Sequence, residues 1–456
     1  WGYNNHMILR KKSGLMTEGN IFEKILLFSI PLLLGNFFQL MYNAIDSFVV
    51  GNFVGKHALA AVGTSTPIIN LMIAFFQGLA TGAGVIVSKY YGARDKENVS
   101  KAVHTFVMFS LLFGIFLSIF GYLISPKLLE MMNTPSDSFE SANAYLKTYF
   151  LGNVFVTLYN AGTGILQSVG NAKAPLFILI VSSIINVFLD LLFVRVIKLG
   201  VVGAALATII CQAFAMVLVL YILCKNKSEY QLIFKKLKIH LSILKEIVFV
   251  GVPAGLQGMV VSVSNVMVMY YINGFGSAAV AGFSSANKFD NFLGLPVNSF
   301  MLAITTFVSQ NLGAKKYDRV KQGIRATLIM SLATVIVLGV IVMTFADSCI
   351  GIFNSDKDVI EAGATFIRIM CPFYFALCFH QVYSGALRAS GRSFVPMFTS
   401  IMAFVVIRQF YLAIVLKTTR DISMIGWGYS LTWILAAVFT GCYYHFSGWL
   451  QKEMAK

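Results

Sequence analysis

Charged residues are scarce in this sequence. Asp, Glu, Lys and Arg make up 12% of its 456 residues, whereas apolar residues make up 57%. A soluble globular chain carries about 25% charged residues, so this chain lacks the polar side chains that would cover its surface in water. The composition therefore predicts a membrane protein, for which lipid is the solvent.

The motifs of several enzyme classes are also absent. The sequence contains no P-loop, no GxSxG and no HExxH motif, and its six cysteines show no CxxC spacing. These absences argue against nucleotide hydrolysis, serine or zinc hydrolases, a structural zinc site and a disulfide framework. We therefore predict that the protein is not an enzyme, that it needs no cofactor, and that an ion gradient drives any transport.

Long apolar runs recur along the whole chain. A helix that crosses a bilayer needs about 20 mainly apolar residues. Twelve runs of this kind are predicted, at 25–50, 60–86, 102–124, 145–168, 174–197, 202–224, 246–272, 279–308, 323–346, 361–386, 394–416 and 424–447. The sequence therefore predicts an all-α polytopic membrane protein with twelve transmembrane helices.

The distribution of basic residues predicts the orientation in the membrane. With the N-terminus inside, 24 of the 35 Lys and Arg residues fall on inner loops and flanks, and nine fall on outer ones. Because basic residues concentrate on the cytoplasmic side, both termini are predicted to lie on the cytoplasmic side of the inner membrane. The net charge of +16 then follows from topology, and it indicates anionic lipid headgroups as partners rather than nucleic acid.

The chain contains an internal repeat. Tyr91–His104 (YGARDKENVSKAVH) matches Leu312–Arg325 (LGAKKYDRVKQGIR) at an offset of 221, and 145–175 matches 366–396 at the same offset. Six helices per repeat is an even number, so both halves insert the same way up. The repeat therefore predicts two six-helix bundles related by a pseudo-twofold axis along the membrane normal, a pattern typical of transporters.

These boundaries predict the domain organisation. It consists of a cytoplasmic N-terminal segment, an N-lobe, a cytoplasmic linker, a C-lobe and a cytoplasmic tail, at 1–24, 25–224, 225–245, 246–447 and 448–456.

Acidic residues inside apolar runs are costly and are therefore functional candidates. Asn186 and Asp190 are four residues apart in the fifth span, so they share a helix face. Asp190 lies nine residues before the turn at Leu199 and Thr208 lies nine after it, so they reach nearly equal depth. Asp46, near the outer end of the first span, reaches a similar depth. Two carboxylates, an amide oxygen and a hydroxyl predict a site for Na⁺ or a shared proton.

The alternative is that these residues are buried for packing alone, and the repeat provides a test. At the positions that match Asp46, Asn186 and Asp190, the second half has Val268, Ile407 and Tyr411, in that order. A requirement of the fold would have kept polar residues in both halves. We therefore predict one ion site, in the first half only.

Six further polar residues are candidates for a substrate cavity: Gln39, Gln77, Lys288, Asp290, His380 and Arg408. Lys288, Asp290 and Arg408 form either a membrane ion pair or a charged patch of the cleft. His380 is either a hydrogen-bonded packing residue or a proton relay. The two glutamines either line the cleft or join helices through hydrogen bonds.

Several stretches resemble the multidrug and toxic compound extrusion (MATE) transporters of prokaryotic type, within the MOP flippase superfamily. They are PLLLGNFFQLMYNAIDSFVVGNFVGKHALAAVG (31–63), YYGARD (90–95), LQSVGNAKAP (166–175), IINVFLD (184–190), VPAGLQGM (252–259), SQNLGAKK (309–316) and GALRASGR (385–392). The resemblance covers nearly the whole chain from about residue 16.

The resemblance implies two six-helix lobes, a V-shaped central cavity and drug/cation antiport. Family members of this type bind Na⁺ or H⁺ through an Asp of helix one, an Asn and an Asp of helix five and a Thr of helix six. These roles fall here on Asp46, Asn186, Asp190 and Thr208. Another branch of the family uses acids in helices seven and ten, and this sequence has Val261 where the first of these would lie. A cation site in the C-lobe is therefore not expected.

We thus expect a monomeric antiporter, coupled to Na⁺ or H⁺, that exports amphipathic, cationic, drug-like small molecules by alternating access. A flippase for lipids or lipid-linked precursors, from the same superfamily, is the alternative. A membrane protein without transport activity is a more distant one.

Overall fold

A computed structural model describes residues 15–54, 56–132, 134–419 and 421–455, with the backbone alone at 47, 56–60 and 137. Several basic residues used in the orientation argument lie outside these ranges: Arg10, Lys11, Lys12, Arg420 and Lys456. Most of the predicted N-terminal segment also lies outside them.

The described chain is helical throughout, and no strand occurs in it. The α-helices are α1 (Ile21–Phe53), α2 (Lys56–Gly92), α3 (Lys96–Met131), α4 (Ser136–Leu151), α5 (Asn153–Ser168), α6 (Lys173–Asp190), α7 (Gly200–Lys225), α8 (Leu241–Asn273), α9 (Ser277–Gly313), α10 (Tyr317–Thr344), α11 (Ala346–Gly351), α12 (Lys357–Met370), α13 (Tyr374–Ala389), α14 (Phe394–Ser400), α15 (Arg408–Thr418), α16 (Ser423–Phe446) and α17 (Trp449–Met454). Turns of π-helix at Leu191–Val196 and Ile401–Ile407 continue α6 and α14, and 3₁₀ turns lie at Phe234–Lys236 and Cys371–Phe373.

The predicted twelve spans are present. Eleven helical segments of the described chain are long and apolar enough to cross a membrane. The fourth predicted span, 145–168, is the exception, because Gly152 divides it into α4 and α5, with 16 residues each. A Cβ at Gly152 would lie 2.3 Å from Cγ1 of Ile209 in α7. The close approach of α7 therefore requires a glycine there, and α4 and α5 together complete the set.

The repeat extends to the backbone conformation. Arg94 and Lys315, which are 221 residues apart, both have a left-handed backbone, with φ of 58° and 56°. Gly170 and Gly391, also 221 apart, have φ of 83° and 81°. A non-glycine residue rarely adopts this conformation, so the two loops before α3 and α10 share an unusual turn. The two halves are therefore similar in backbone conformation as well as in amino-acid sequence.

The loop before α3 ends in a helix cap. The Asp95 carboxylate accepts a hydrogen bond from the backbone nitrogen of Asn98 at 3.1 Å, and a second from its side chain at 2.7 Å. These bonds favour the charged carboxylate and hold the pKa of Asp95 below its ordinary value. The cap satisfies an amide that α3 would otherwise leave without a partner.

The chain divides into two compact units. Unit one contains Leu34–Gly251, and unit two contains Met16–Leu33 and the chain from Val252 onward. Both divisions fall inside a helix, the first in α1 within three residues of Pro31 and the second in α8 next to Pro253. A proline in a helix interior removes a backbone hydrogen bond and bends the helix. These two prolines correspond in the repeat, at an offset of 222.

Each unit has its own apolar core. In unit one, Val49 and Val50 of α1 pack with Leu146 and Phe150 of α4 in one buried cluster. In unit two, Tyr374 and Trp433 pack with their ring centroids 4.8 Å apart, among apolar residues of α8, α9, α12 and α16.

A close helix crossing lies in unit two, between α9 and α12. A Cβ on Gly282 would lie 2.8 Å from the backbone nitrogen of Gly363, and one on Gly363 would lie 2.8 Å from the Gly282 oxygen. The matching residues of unit one are Ala61 and Ala142, both fully buried. Small residues let helices approach closely in membranes, and the repeat has kept small residues at this crossing.

The predicted linker, 225–245, is shorter in the structure and is held in place. The chain leaves α7 after Lys225, and α8 already begins at Leu241, so the last residues of the predicted linker are helical. The 226–240 connection lies against α3, where the Ile233 amide donates to Nε2 of His104 at 3.0 Å. A salt bridge of 3.5 Å joins Lys96 to Glu229.

Candidate functional site

A buried polar cluster in unit one contains the four residues predicted to hold a cation. The Asp46 and Asp190 carboxyl groups are close neighbours that interact electrostatically. Asn186 and Asp190 are fully buried, and Thr208 is 7% exposed. Tyr42 joins the cluster, because its hydroxyl donates to Oγ1 of Thr208 at 3.3 Å. Residues from α1, α6 and α7 thus meet at one place.

The local helix geometry explains this meeting. Asn186 and Asp190 lie one turn apart on the buried face of α6. Directly after Asp190 the helix widens into a π turn at Leu191–Val196, in which the Ile197 amide bonds to the Leu192 oxygen at 2.8 Å. Turns of π-helix are rare and occur frequently at functional sites. Here the wider turn begins directly after Asp190, the residue that lies beside the other acid.

Among the described residues, the cluster has more unpartnered hydrogen-bond acceptors than donors, since its unpartnered donor is Nδ2 of Asn186 alone. Four buried oxygen atoms have no hydrogen-bond donor among the described residues: Oδ1 of Asp46, Oδ1 of Asn186, and Oδ1 and Oδ2 of Asp190. A buried polar group without a partner costs about 1–3 kcal/mol, and more if it is charged. A cation coordinated by oxygen would satisfy these atoms together, since hard cations prefer oxygen ligands, and a proton would satisfy the carboxyl pair.

A small cavity of mixed polar and apolar lining adjoins the cluster. Its volume is about 20 Å³, and Gln39 lines it together with Ser182, Ser183 and Gln212. Tyr42 and Cys211 line the same cavity and also lie near the Asp190 carboxyl group. Gln39 also donates to Oδ1 of Asn43 at 3.5 Å. Sequence reasoning did not identify Tyr42 or Cys211, because neither side chain is unusual in a membrane helix.

The matching positions of unit two hold no such cluster. Val268 is fully buried in the apolar core, with Tyr411 packed against that core. Ile407 ends a π turn, and the following residue, Arg408, is the polar residue of this region. The two units therefore share helices but differ in their buried polar groups, as the repeat predicted.

Arg408 is 2% exposed and is held without a salt bridge to any described residue. Its Nη2 and Nε donate to Oγ1 of Thr432 at 2.8 and 3.1 Å, and its guanidinium lies 4.1 Å from the ring centre of Tyr429. Asp290 accepts a hydrogen bond from the Tyr374 hydroxyl. Lys288 is exposed, with its amine 4.0 Å from the ring centre of Phe353. Arg408 and Asp290 thus each have neutral hydrogen-bond partners.

His380 belongs to a chain of buried hydrogen bonds in unit two. Its Nδ1 lies 2.9 Å from Oγ1 of Thr440, and its Nε2 lies 3.2 Å from Oγ of Ser400. The chain continues from Ser400 to Gln257 at 2.9 Å and from Gln257 to Arg388 at 2.8 Å. Arg388, one of the 24 basic residues predicted on the inner side, is 5% exposed.

Gln77, the last candidate of the predicted substrate cavity, is exposed on α2, and its backbone oxygen accepts a hydrogen bond from Thr81 at 2.8 Å.

The sequence profile of the MatE family matches this chain twice, at residues 31–192 and 253–414. The chain belongs to the MatE family. The two matches are offset by 222 residues and repeat the internal duplication. This confirms the family resemblance that the motifs indicated.

Relatives of this MatE chain include proteins named for multidrug resistance or multidrug export. The "Probable multidrug resistance protein YoeA" of Bacillus subtilis is 28% identical over 459 residues, with 99% of this chain and 98% of that protein covered. The "Multidrug export protein MepA" of Staphylococcus aureus is 23% identical over 374 residues, with 82% of each chain covered.

Solved structures confirm the fold. A MOP superfamily transporter from Pyrococcus furiosus Vc1 (DSM3638) superposes with a TM-score of 0.90 at 22% identity, covering 98% of this chain and 99% of the other. A multidrug resistance MATE family transporter in an outward-facing conformation superposes with a TM-score of 0.91 at 22% identity, with the same coverage. The MatE chain therefore has the fold of these transporters, with twelve transmembrane spans.

Proposed function

We propose that this protein is a multidrug exporter, and that it couples the export of amphipathic organic cations to the entry of Na⁺ or H⁺ at the Asp46–Asp190 cluster. The observation that carries the coupling is the group of four buried oxygen atoms without donors. The multidrug resistance and export proteins among its relatives support the substrate class. The asymmetry of the two units supports a single ion site.

Linkage explains how such a site drives export. A cation and a substrate that favour different conformations of one protein compete, and the coupling is typically worth about 1–3 kcal/mol, or 5- to 150-fold in affinity. The protein's own part is to hold Asp46 and Asp190 face to face on α1 and α6. A proton or ion at the pair removes their repulsion, and its departure restores it.

Reconstitution tests this proposal. We expect purified protein in proteoliposomes to move ethidium, a planar organic cation, at least about fivefold faster when a gradient of either Na⁺ or H⁺ is imposed. Each gradient is imposed separately, with protein-free liposomes as the control. Movement of a labelled phospholipid without any movement of ethidium would favour the flippase alternative. Equal rates with and without both gradients would contradict coupling.

The orientation is also part of the proposal. The protein lies in the inner membrane, with both termini in the cytoplasm. Lys227, after α7, and Lys357, at the start of α12, are both exposed and fall on opposite predicted sides. In variants whose exposed Cys442 is replaced by serine, an impermeant thiol reagent applied to intact cells should label Lys357→Cys and spare Lys227→Cys. Labelling at position 227 alone would reverse the orientation.

A further inference from the structure

A basic pocket lies in unit one, where the 226–240 connection crosses α3. It has a volume of about 390 Å³ and is lined by Ser100, Lys101, His104, Lys235, Lys236, Leu237, Lys238 and His240. Six of these eight residues are lysine or histidine, and none is acidic. The pocket is separate from the Asp46–Asp190 cluster, and the proposed transport mechanism does not use it.

Hydrogen bonds to α3 fix the wall of the basic pocket. His104 is 1% exposed, and its Nδ1 lies 2.7 Å from the Ser100 oxygen, while its Nε2 accepts from the Ile233 amide. Nδ1 therefore carries the proton. The His240 amide donates to Oγ1 of Thr105 at 3.1 Å. The connection is thus attached to α3 on both sides of its lysines.

Three of the four lysines that line the basic pocket have no acidic partner in the described chain. Lys101 pairs with Glu97 at 2.5 Å, whereas Lys235, Lys236 and Lys238 form no salt bridge with any residue that the structure describes. All three are exposed and line the concavity. Like charges around a concave surface concentrate their electric field and attract counter-ions. The pocket is therefore suited to an anion.

An exposed aromatic residue indicates which anion. Phe234, directly before Lys235 and Lys236, begins the 3₁₀ turn and is 64% exposed. The connection joins two predicted membrane helices, and Leu241 at the start of α8 is 77% exposed. An exposed apolar side chain next to lysines is typical of a segment in the membrane interface, where the apolar group enters the acyl region and lysines meet headgroups. A soluble anion would make no use of Phe234.

We propose that the basic pocket binds the headgroup of an anionic phospholipid. Lys235, Lys236 and Lys238 hold its phosphate, and Phe234 anchors the connection among the acyl chains. The lipid contributes the negative charge that the protein lacks at this place.

A triple substitution with a matched control tests the site. Lys235→Gln, Lys236→Gln and Lys238→Gln together remove the three unpaired charges. The control, Lys225→Gln, Lys227→Gln and Lys245→Gln, removes as many charges from exposed lysines that lie at or near the ends of the connection and do not line the pocket. The full-length proteins in neutral detergent are titrated with phosphatidylglycerol, and bound lipid is counted by native mass spectrometry.

The pocket variant should bind phosphatidylglycerol at least about tenfold more weakly, since each lysine near an anionic surface is worth about fivefold in binding. The control triple should stay within about twofold of the unchanged protein. Equal weakening of lipid binding in both triple variants would show that the charges act through the general surface potential. That result would contradict the proposal that the basic pocket is the lipid site.

Two further arms separate a lipid from a soluble anion. Phosphatidylcholine should bind equally to all three proteins, and inorganic phosphate should not displace phosphatidylglycerol. Phe234→Ser should weaken lipid binding while all the lysines remain. If inorganic phosphate competes at similar concentration and Phe234→Ser has no effect, the ligand is a soluble phosphate compound and the lipid proposal fails.

Discussion

Ion-driven export is expected to be lost when Asp190 is replaced by asparagine. The substitution keeps the shape of the side chain and removes one of the two carboxylates that face each other in unit one. The remaining site has less negative charge with which to hold a cation or a proton. If the cluster binds the driving ion, export in an imposed gradient should fall by about 5- to 150-fold, the range of a typical coupling free energy. Asp46→Asn should have the same effect.

The matched control is Asp290→Asn, which makes the same chemical change at a membrane acid of unit two. Asp290 accepts a hydrogen bond from Tyr374 and belongs to no group of unpaired oxygens. Its replacement should leave ion dependence intact, even if it lowers stability. Undiminished coupling in both unit-one variants, with loss in Asp290→Asn, would move the ion site to unit two.

A second measurement separates loss of the ion site from misfolding. An ion that binds the folded protein raises its unfolding temperature by mass action, about 2.7 kcal/mol of stabilisation at 100 times the dissociation constant. Na⁺, or a change of pH if the ion is a proton, should therefore stabilise the unchanged protein. Asp190→Asn should unfold cooperatively but lack that response. An unchanged response would contradict the assignment of the site.

Gly282→Ala should destabilise unit two strongly. The new Cβ would lie 2.8 Å from both the Gly363 nitrogen and the Val359 oxygen, which are backbone atoms and cannot rotate away. The α9–α12 crossing would have to open, at a cost of about 1–3 kcal/mol, as for other overpacked interiors. Thermal unfolding of the purified protein in detergent measures the effect.

Gly294→Ala is the matched control on the same helix. A Cβ at Gly294 meets no atom within 4 Å, and alanine is the better helix former by about 1 kcal/mol. The two substitutions should therefore shift the unfolding temperature in opposite directions. Destabilisation of the same size at both positions would show that the close α9–α12 crossing does not control the response.

Much of the fold follows from the apolar runs, because a bilayer requires long helices and leaves few alternatives. The sequence did not reveal the division at Gly152, since it depends on how closely Ile209 of α7 approaches. It also missed the early start of α8 at Leu241, because the residues there are polar enough to look like a loop. Both features depend on contacts between segments that are distant in the sequence.

The candidate ion site could be predicted because depth and helix period are properties of the sequence. The spacing of Asn186 and Asp190, and their distance from the turn before α7, placed them with Thr208. The burial and the contacts of other polar residues could not be predicted in the same way. Arg388 looked like a flanking residue and is buried against Gln257. The basic pocket could not be predicted either, since its lysines line one concave surface only when the connection packs against α3.

The division of α1 and α8 beside Pro31 and Pro253 determines whether the chain can be cut into two fragments that each form a complete unit. The start of α1 belongs with the second half of the chain, and the start of α8 belongs with the first. This is the reciprocal exchange that domain swapping produces between two copies of one protein, here within a single polypeptide. A chain severed between α7 and α8 would leave each fragment without a helical segment that completes its own unit. We therefore expect the duplicated halves to depend on each other during folding, although their sequences repeat.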